Sequence, residues 1–370
     1  MPTLTIAWHD YNMGEDGFNI YRSDSPMDVN AMPTPIASVG PNIGSYDDPT
    51  VVGGNFYYYR VGVLRNGSEV IGNEYKQFAA NFTLVSGSVD NTVKKIDSSG
   101  NEIWSFTGHT SYVFGVAVDS NGNVYSGSGD NTLKKIDSSG NEVWTFSGHT
   151  DRVQGVAVDL LGNVYSGSFD NTVKKINSSG NEIWSFTGHT NIVYSVVVDS
   201  NGNVYSGSND DTVKKIDSSG NEVWTFSGHT NNVRAVAVDS NGYVYSGSQD
   251  NTVKKIDSSG NEVWTFSGHT SYVYGVAVDS NGNVYSGSQD KTVKKIDSSG
   301  NLVWTFDSNA NGNSDGHTGR VYSVAVDSNG NVYSGSNDDT VKKIDSSGNE
   351  VWTFTGHTST VRSVAVYLDY

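Results

Sequence analysis

Beyond residue 80 the chain alternates apolar and polar residues in short runs, each closed by a cluster of Gly, Asn, Ser and Asp. Val113–Val118 (VFGVAV), Asn123–Ser128 (NVYSGS), Thr132–Ile136 (TLKKI) and Asn141–Phe146 (NEVWTF) form one such set. A period of two over so few residues predicts half-buried strands. The DSNG and DSSG stretches between them fit type I turns closed by a glycine at positive φ. No window keeps a helical period, so the chain is predicted to be all-β. A four-stranded meander of this size cannot bury both faces alone, and stacking against neighbours is expected to cover them.

The set recurs. Its landmark VYSGS starts at Val124, Val164, Val204, Val244, Val284 and Val332, with LVSGS at Leu84; the spacing is 40 residues, except for 48 at the last. A repeat of that length built from short strands is the sequence mark of a β-propeller. Seven Gly-His pairs, at His109, His149, His189, His229, His269, His317 and His357, predict seven blades. The region opens near Phe82 on a second strand and ends on a first strand with nothing after it. Val361–Val366 is therefore predicted to complete the sheet begun by residues 82–107 and so remove the open edges. The fourth-strand side chains Ile103, Trp104 and Phe106 are available to fill the space between blades.

Residues 1–80 read differently. Strands are predicted at 3–11, Gly17–Ser23, Pro35–Val39, Asn55–Leu64 and Glu69–Phe78, separated by polar turns. Several short strands at that spacing suggest a β-sandwich. Trp8 in an early strand, GFNIYRS in the next, SYDDP before a loop, and YYYRVGV followed by Asn66-Gly67 resemble a fibronectin type III domain. The predicted domains are 1–80, that sandwich, and 81–370, the propeller.

The repeat resembles a WD-repeat propeller in its GH pair, its SGSxD turn and its DxTVKxxD strand. That family carries a tetrad of His, Ser or Thr, Asp and Trp in each blade. Here Ile96-Asp97, Ile136-Asp137 and their equivalents stand where Trp-Asp would, leaving at most a link of the Asp90–His109 kind and a Ser. The Trp lies on the fourth strand instead, which is more like a quinoprotein-type propeller. No site residues for a quinone are visible.

Composition sharpens the division. All six prolines and all four methionines precede residue 80, whereas seven of the eight tryptophans and seven of the eight histidines follow it. The net charge is -17, with 9 acids and 4 bases before that boundary and 31 acids and 19 bases after it. Acidity in both parts argues against nucleic acid or an anionic membrane as partner. Without cysteine there is neither disulfide nor thiol chemistry. MPTLTIAWHD has no basic start and no long apolar run, so no secretory signal and no membrane insertion are expected.

Groups present in every blade, such as the seven His, the turn Asp and the paired lysines, are read as structural. The lysines are assigned to a solvated strand face and to partial neutralisation of the acidic turns. Catalysis needs one group tuned unlike the rest, and none is visible, so the chain is predicted not to be an enzyme. The period breaks once, at DSNANGNSD. Asp307, Asn309, Asn311, Asn313 and Asp315 have the spacing of calcium ligands, with Gly312 for the sharp turn. Thr318 stands where a bidentate Glu would, and no other cofactor is expected.

Three columns diverge among otherwise constant copies. The first holds Tyr112, Arg152, Ile192, Asn232, Tyr272, Arg320 and Thr360; the second Phe114, Gln154, Tyr194, Arg234, Tyr274, Tyr322 and Arg362. The third, before the turn Asp, holds Val89, Gly129, Phe169, Asn209, Gln249, Gln289 and Asn337, while SSGNE and SNGN hardly change. The resemblance places these columns on the propeller's top face. Tyr, Phe and Arg there suit contact with a partner, a protein loop or a glycan. The predicted binding residues are Tyr112, Phe114, Arg152, Gln154, Phe169, Tyr194, Arg234, Tyr272, Tyr274, Arg320, Tyr322 and Arg362. The expectation is a non-enzymatic recognition protein whose N-terminal module attaches to another protein. Fibronectin-like modules joined to repeat domains resemble tailed-phage virion components; the alternative is an intracellular WD-repeat scaffold. Virion and cytoplasm are the corresponding locations.

Overall fold

A computed structural model describes residues 4–8, 15–41, 43, 45–51, 55–78, 81–308 and 316–369. The chain divides into two compact units, Met1–Phe82 with Leu368–Tyr370, and Thr83–Tyr367. Among the described residues every regular element is a strand, and no helix is long and apolar enough to cross a membrane.

The first unit contains β1 (Leu4–Ala7), β2 (Gly17–Ser23), β3 (Ala37–Val39), β4 (Ser45–Asp48), β5 (Phe56–Arg65), β6 (Ser68–Ile71) and β7 (Tyr75–Phe78). β1 pairs with β4; the others form a five-stranded sheet in the order β3-β2-β5-β6, with β7 also on β5. Sequence reading missed β4, whose SYDD is too polar to show an apolar face, and ran β6 and β7 together. Ile6, Phe18, Ile20, Val51, Tyr57 and Tyr59 make one core, with Trp8 and Tyr46 packed against it. The Trp8 and Phe18 rings lie 5.2 Å apart. Asp48 is fully buried but satisfied, accepting from Arg22 Nη1 at 2.9 Å, Thr50 Oγ1 at 2.6 Å and Tyr59 Oη at 2.9 Å. Burial works to raise its carboxyl, yet the Thr50 and Tyr59 bonds and the Arg22 charge hold it below the usual range.

Among its described residues the second unit holds seven four-stranded sheets, antiparallel in every described pairing. In one of them Val113–Val118 is innermost, followed outward by Val124–Ser128, Leu133–Ile136 and Glu142–Phe146. The sheet holding Asn81–Ser88, Val93–Ile96 and Glu102–Phe106 takes its inner strand from Val361–Asp369, at the far end of the chain. Val89 N donates to Thr360 O at 2.9 Å at that junction. These repeated sheets are those of a β-propeller.

The constant residues explain themselves locally. In the DSNG turn Asp119 accepts from the backbone N–H of Asn121 and Asn123, from the Asn123 amide, and from Tyr125 Oη at 3.0 Å. Gly122 closes that turn at φ 75° and Gly140 closes the DSSG turn at φ 92°, where a side chain would be strained. Each fourth-strand Trp then ties its sheet to the next. Trp104 Nε1 donates to Ser138 O at 3.1 Å, and its indole lies so close to Gly140 that an added Cβ would sit 3.1 Å from the ring. The same bond recurs from Trp144, Trp184, Trp224, Trp264 and Trp304, and Trp352 reaches Ser98 O at 3.0 Å, which closes the circuit.

Two packing expectations need correction. Ile103 is 50 % exposed, so it does not fill the space between sheets; Phe106, three residues on, points inward and is buried. Nor do the paired lysines form a fully solvated face: each is buried or half-buried. Lys134 is buried and bonds Glu142 Oε2 at 3.0 Å, while Lys135 Nζ sits 5.5 Å from the Tyr125 ring centroid. The long aliphatic stems cover apolar surface while each ammonium finds a partner.

Candidate functional site

Each Gly-His pair feeds the sheet that follows it. His109 Nδ1 lies 2.8 Å from Asp130 Oδ2, and Nε2 lies 2.8 Å from Ser126 Oγ. Asp130 also accepts from the Thr110 backbone N–H at 3.0 Å and from Thr132 Oγ1 at 2.6 Å. The expected Asp90–His109 link is therefore replaced: Asp90 pairs with His357 at 2.8 Å, because the closing strand brings His357 into that sheet. An ionised carboxylate only accepts, so Nδ1 donates to it. Burial works to raise the Asp130 carboxyl. The bonds from His109 and Thr132, the His109 charge and the Thr110 N–H outweigh that and hold it well below the usual carboxylate range.

Asp, His and Ser thus stand in the hydrogen-bond order of a proton relay to a nucleophile. Here the hydroxyl end of that order lies inside the sheet: Ser126 and its six counterparts are 0 % exposed. The same bonds occur in all seven sheets.

The second variable column is different. In every sheet whose inner-strand register is described, the ladder shifts at that residue: between Val113 and Gly115, Val153 and Gly155, Val193 and Ser195, Val233 and Ala235, Val273 and Gly275, and Val321 and Ser323. A bulge adds one residue and re-aims its side chain. Phe114, Gln154, Tyr194, Arg234, Tyr274, Tyr322 and Arg362 consequently line one axial cavity of about 140 Å³. Small residues follow each of them because the inner strands crowd at the axis. A Cβ on Gly155 would stand 2.9 Å from Ser195 Cα. Where serine fits, it caps the neighbouring strand edge: Ser363 accepts from Val116 N at 3.1 Å and Ser323 from Val364 N at 3.1 Å.

The lining side chains form a continuous stack. The Arg234 guanidinium lies 3.8 Å from the Tyr194 centroid and 5.8 Å from that of Tyr274. Tyr274 meets Tyr322 at 4.9 Å. Arg362 lies 4.1 Å from Tyr322 and 5.8 Å from Phe114. With its amide oxygen turned toward Arg234, Gln249 accepts from Nε at 2.9 Å and from Nη2 at 2.5 Å.

The remaining predicted residues flank this stack. Tyr112 packs edge-on to Phe114 at 6.2 Å, Tyr272 to Tyr274 at 6.3 Å and Phe169 to Tyr194 at 6.0 Å. Arg152 lies 5.4 Å from the Phe169 ring. The neighbouring Tyr322 hydroxyl raises the Arg320 guanidinium above its usual range. Of the calcium candidates only Asp307 is described; Asn309, Asn311, Asn313 and Asp315 lie outside the described residues. The ends of that segment abut, since a Cβ on Gly316 would overlap the backbone of Asp307 and Ser308.

Sequence reading missed one departure from the repeat. Asp159-Leu160-Leu161-Gly162 stands where other copies have DSNG, and the turn is retained, with Leu161 N donating to Asp159 Oδ1 at 2.9 Å. Leu160 and Leu161 are 86 % and 82 % exposed. Aligning the turns as closely as the strands exposes this pair.

The comparisons agree with the geometry. The model of the WD domain, G-beta repeat, matches residues 100–137 and 140–177. That of the outer membrane protein assembly factor BamB matches 169–285 and 249–368. No curated protein matches the chain. A solved structure, titled as the WD40 beta propeller domain of Doa1, is 26% identical, covers 70% of this chain and 88% of its own, and aligns with a TM-score of 0.62. The model described as outer membrane protein assembly factor BamB spans more than half of the chain, which belongs to that family, and the WD-repeat matches mark the second unit as a WD-like β-propeller. The known use of WD-like propellers as protein-binding scaffolds is the functional class that the match supports.

Proposed function

We propose that this chain is a non-catalytic recognition protein: a seven-bladed propeller whose Arg- and Tyr-lined face holds a protein or glycan partner. The observation that carries this reading is the convergence of one variable column. Seven nearly identical repeats diverge where their bulged residues meet at a single mouth. Core, turn and tether positions are held constant by packing, but nothing in the fold requires Tyr, Arg, Phe and Gln at the bulge. Large aromatic rings give much contact area for little lost flexibility, and guanidinium groups add hydrogen bonds and stacking. The buried, sevenfold-repeated His–Asp–Ser bonds support a non-enzymatic role. The two-sheet core around Trp8 supports a fibronectin type III-like sandwich, proposed to attach the protein to another one. The WD-repeat likeness favours a protein-binding scaffold; no feature of either unit speaks for a tailed-phage virion.

Peptide and glycan arrays probed with the intact chain test this reading. Tyr272→Ala/Arg320→Ala is expected to weaken retained ligands by about tenfold or more, as at hot spots. Leu160→Ser/Leu161→Ser is expected to leave them bound. Ligands untouched by the first variant and lost with the second would place recognition elsewhere and overturn the assignment.

A further inference from the structure

Arg234 and Arg362 are the residues that the fold least explains. The chain holds seven arginines and a net charge of -17, yet these two line the same cavity of about 60 Å³ with Gln154, Tyr194, Tyr274 and Tyr322. Among the described residues, no carboxylate lines this cavity or the channel beneath it. Burial pushes the Arg234 guanidinium below its usual range; Tyr194 and Tyr274 oppose that, and the Arg362 charge adds to it. Two cations without a counter-ion repel, and stacking on tyrosine offsets only part of that.

The hydrogen bonding is equally one-sided. Tyr194 Oη donates to Asn209 Oδ1 and Tyr274 Oη to Gln289 Oε1, each at 2.9 Å. These two phenols are therefore committed to the rim. Arg362 Nε is buried and has no acceptor among the described residues. A buried charged donor left unmatched costs more than its bond contributes when made. What the cavity lacks is an acceptor carrying negative charge.

We propose that the mouth of the axial channel is an anion site, in which a carboxylate or phosphate group is held between Arg234 and Arg362. The proposal rests on the recognition face described above and names the chemistry that its centre selects. With Arg234 Nε and Nη2 on Gln249, the rest of that guanidinium and the Arg362 fork are left to match the paired oxygens of either group. A water needs about 10–15 Å³ of such space, so the cavity admits a group of a few heavy atoms. The acidic exterior repels anions at long range, so selection falls to the contact itself.

Side-chain nitrogen-15 spectra of the arginines in the intact chain provide the test. The probes are inorganic phosphate and, separately, glutarate, each against sodium chloride at matched ionic strength. The Arg234 and Arg362 signals are expected to shift saturably with at least one probe. Phosphate alone identifies a phosphate site, glutarate alone a carboxylate site, and both a general oxyanion site. Arg362→Gln is expected to weaken binding by about tenfold or more, the loss of one charge-assisted pair. Arg362→Lys keeps the charge without the planar fork and is expected to fall between. Should the variants misfold, the wild-type titration decides alone. Signals that move no further than in chloride, or equally in a folded Arg362→Gln protein, overturn the site. If anions fail while Tyr272→Ala/Arg320→Ala still loses its array ligand, the anion site alone is wrong. If anions bind while that ligand survives, the recognition face alone is wrong.

Discussion

Seven aspartates, Asp90, Asp130, Asp170, Asp210, Asp250, Asp290 and Asp338, are held well below the ordinary carboxylate range. In each, burial acts against ionisation and is outweighed by bonds from a His, a Thr and a backbone N–H. A carboxyl depressed by folding stabilises the native state above its unfolded value, about 3.9. That contribution is lost as pH falls through the acid range. Urea unfolding is therefore expected to show a level plateau at neutral pH and a steep loss below about pH 4. Asp130→Asn is expected to cost about 2 kcal/mol at pH 7, the scale of a hydrogen bond to a charged group. The gap should close as wild-type Asp130 protonates; a gap that stays constant to the acid end would refute the assignment. The identity of these aspartates was legible in the repeat. Their partners were not, because the His that meets Asp130 stands 21 residues earlier and meets it only once the strands pair.

At the scale of the element, the fourth strand does two things. Its alternating residues put Phe106 into the core and Trp104 against the neighbouring turn. The Trp N–H bonds to a turn carbonyl make every junction chemically alike, including the one that joins the chain's ends. Trp352→Phe and Trp224→Phe are each expected to cost about 1 kcal/mol, one neutral hydrogen bond. Equal losses in denaturant unfolding mark a closed circuit. A much smaller loss at Trp352 would mark a frayed end and contradict the closure. The inner strand carries what the sequence hid. VFGVAV reads as plain alternation, yet the ladder shifts at Phe114, and that shift sends the variable side chain into the axial cavity. Nothing in the residue types distinguishes the bulge from a regular strand. A small residue after it (glycine, serine or alanine) is the one sign, and crowding at the axis is what explains it.

For the whole molecule, the decisive bond is between distant segments. Val361–Asp369 supplies the inner strand of the sheet begun by Asn81–Ser88. Val361 and Val364 share a buried cluster with Leu84 and Ile96. Removing residues 361–370 leaves an unpaired inner edge and opens that cluster. The shortened chain is expected to lose cooperative unfolding and to aggregate through the exposed strand. Hydrogen exchange should show amide protection lost first at 84–88. A shortened chain that stays monomeric, with 84–88 still protected, would show that closure is dispensable. The clasp itself was foreseen from the phase of the repeat, which starts on a second strand and stops on a first.

The sequence alone determined whatever depends on neighbours along the chain: strand period, Asp-anchored turns, positive-φ glycines and a repeat whose missing first strand is found at its end. Local hydrogen bonds and alternation set these, and both are written in order. Tertiary structure decided what depends on residues about forty positions apart becoming neighbours around an axis. It chose which His meets which Asp, turned the lysines from solvent to partners, and brought Arg234 and Arg362 into one cavity without a counter-ion. Spacing along the chain is blind to such meetings, because ring closure converts a periodic line into a set of convergent side chains.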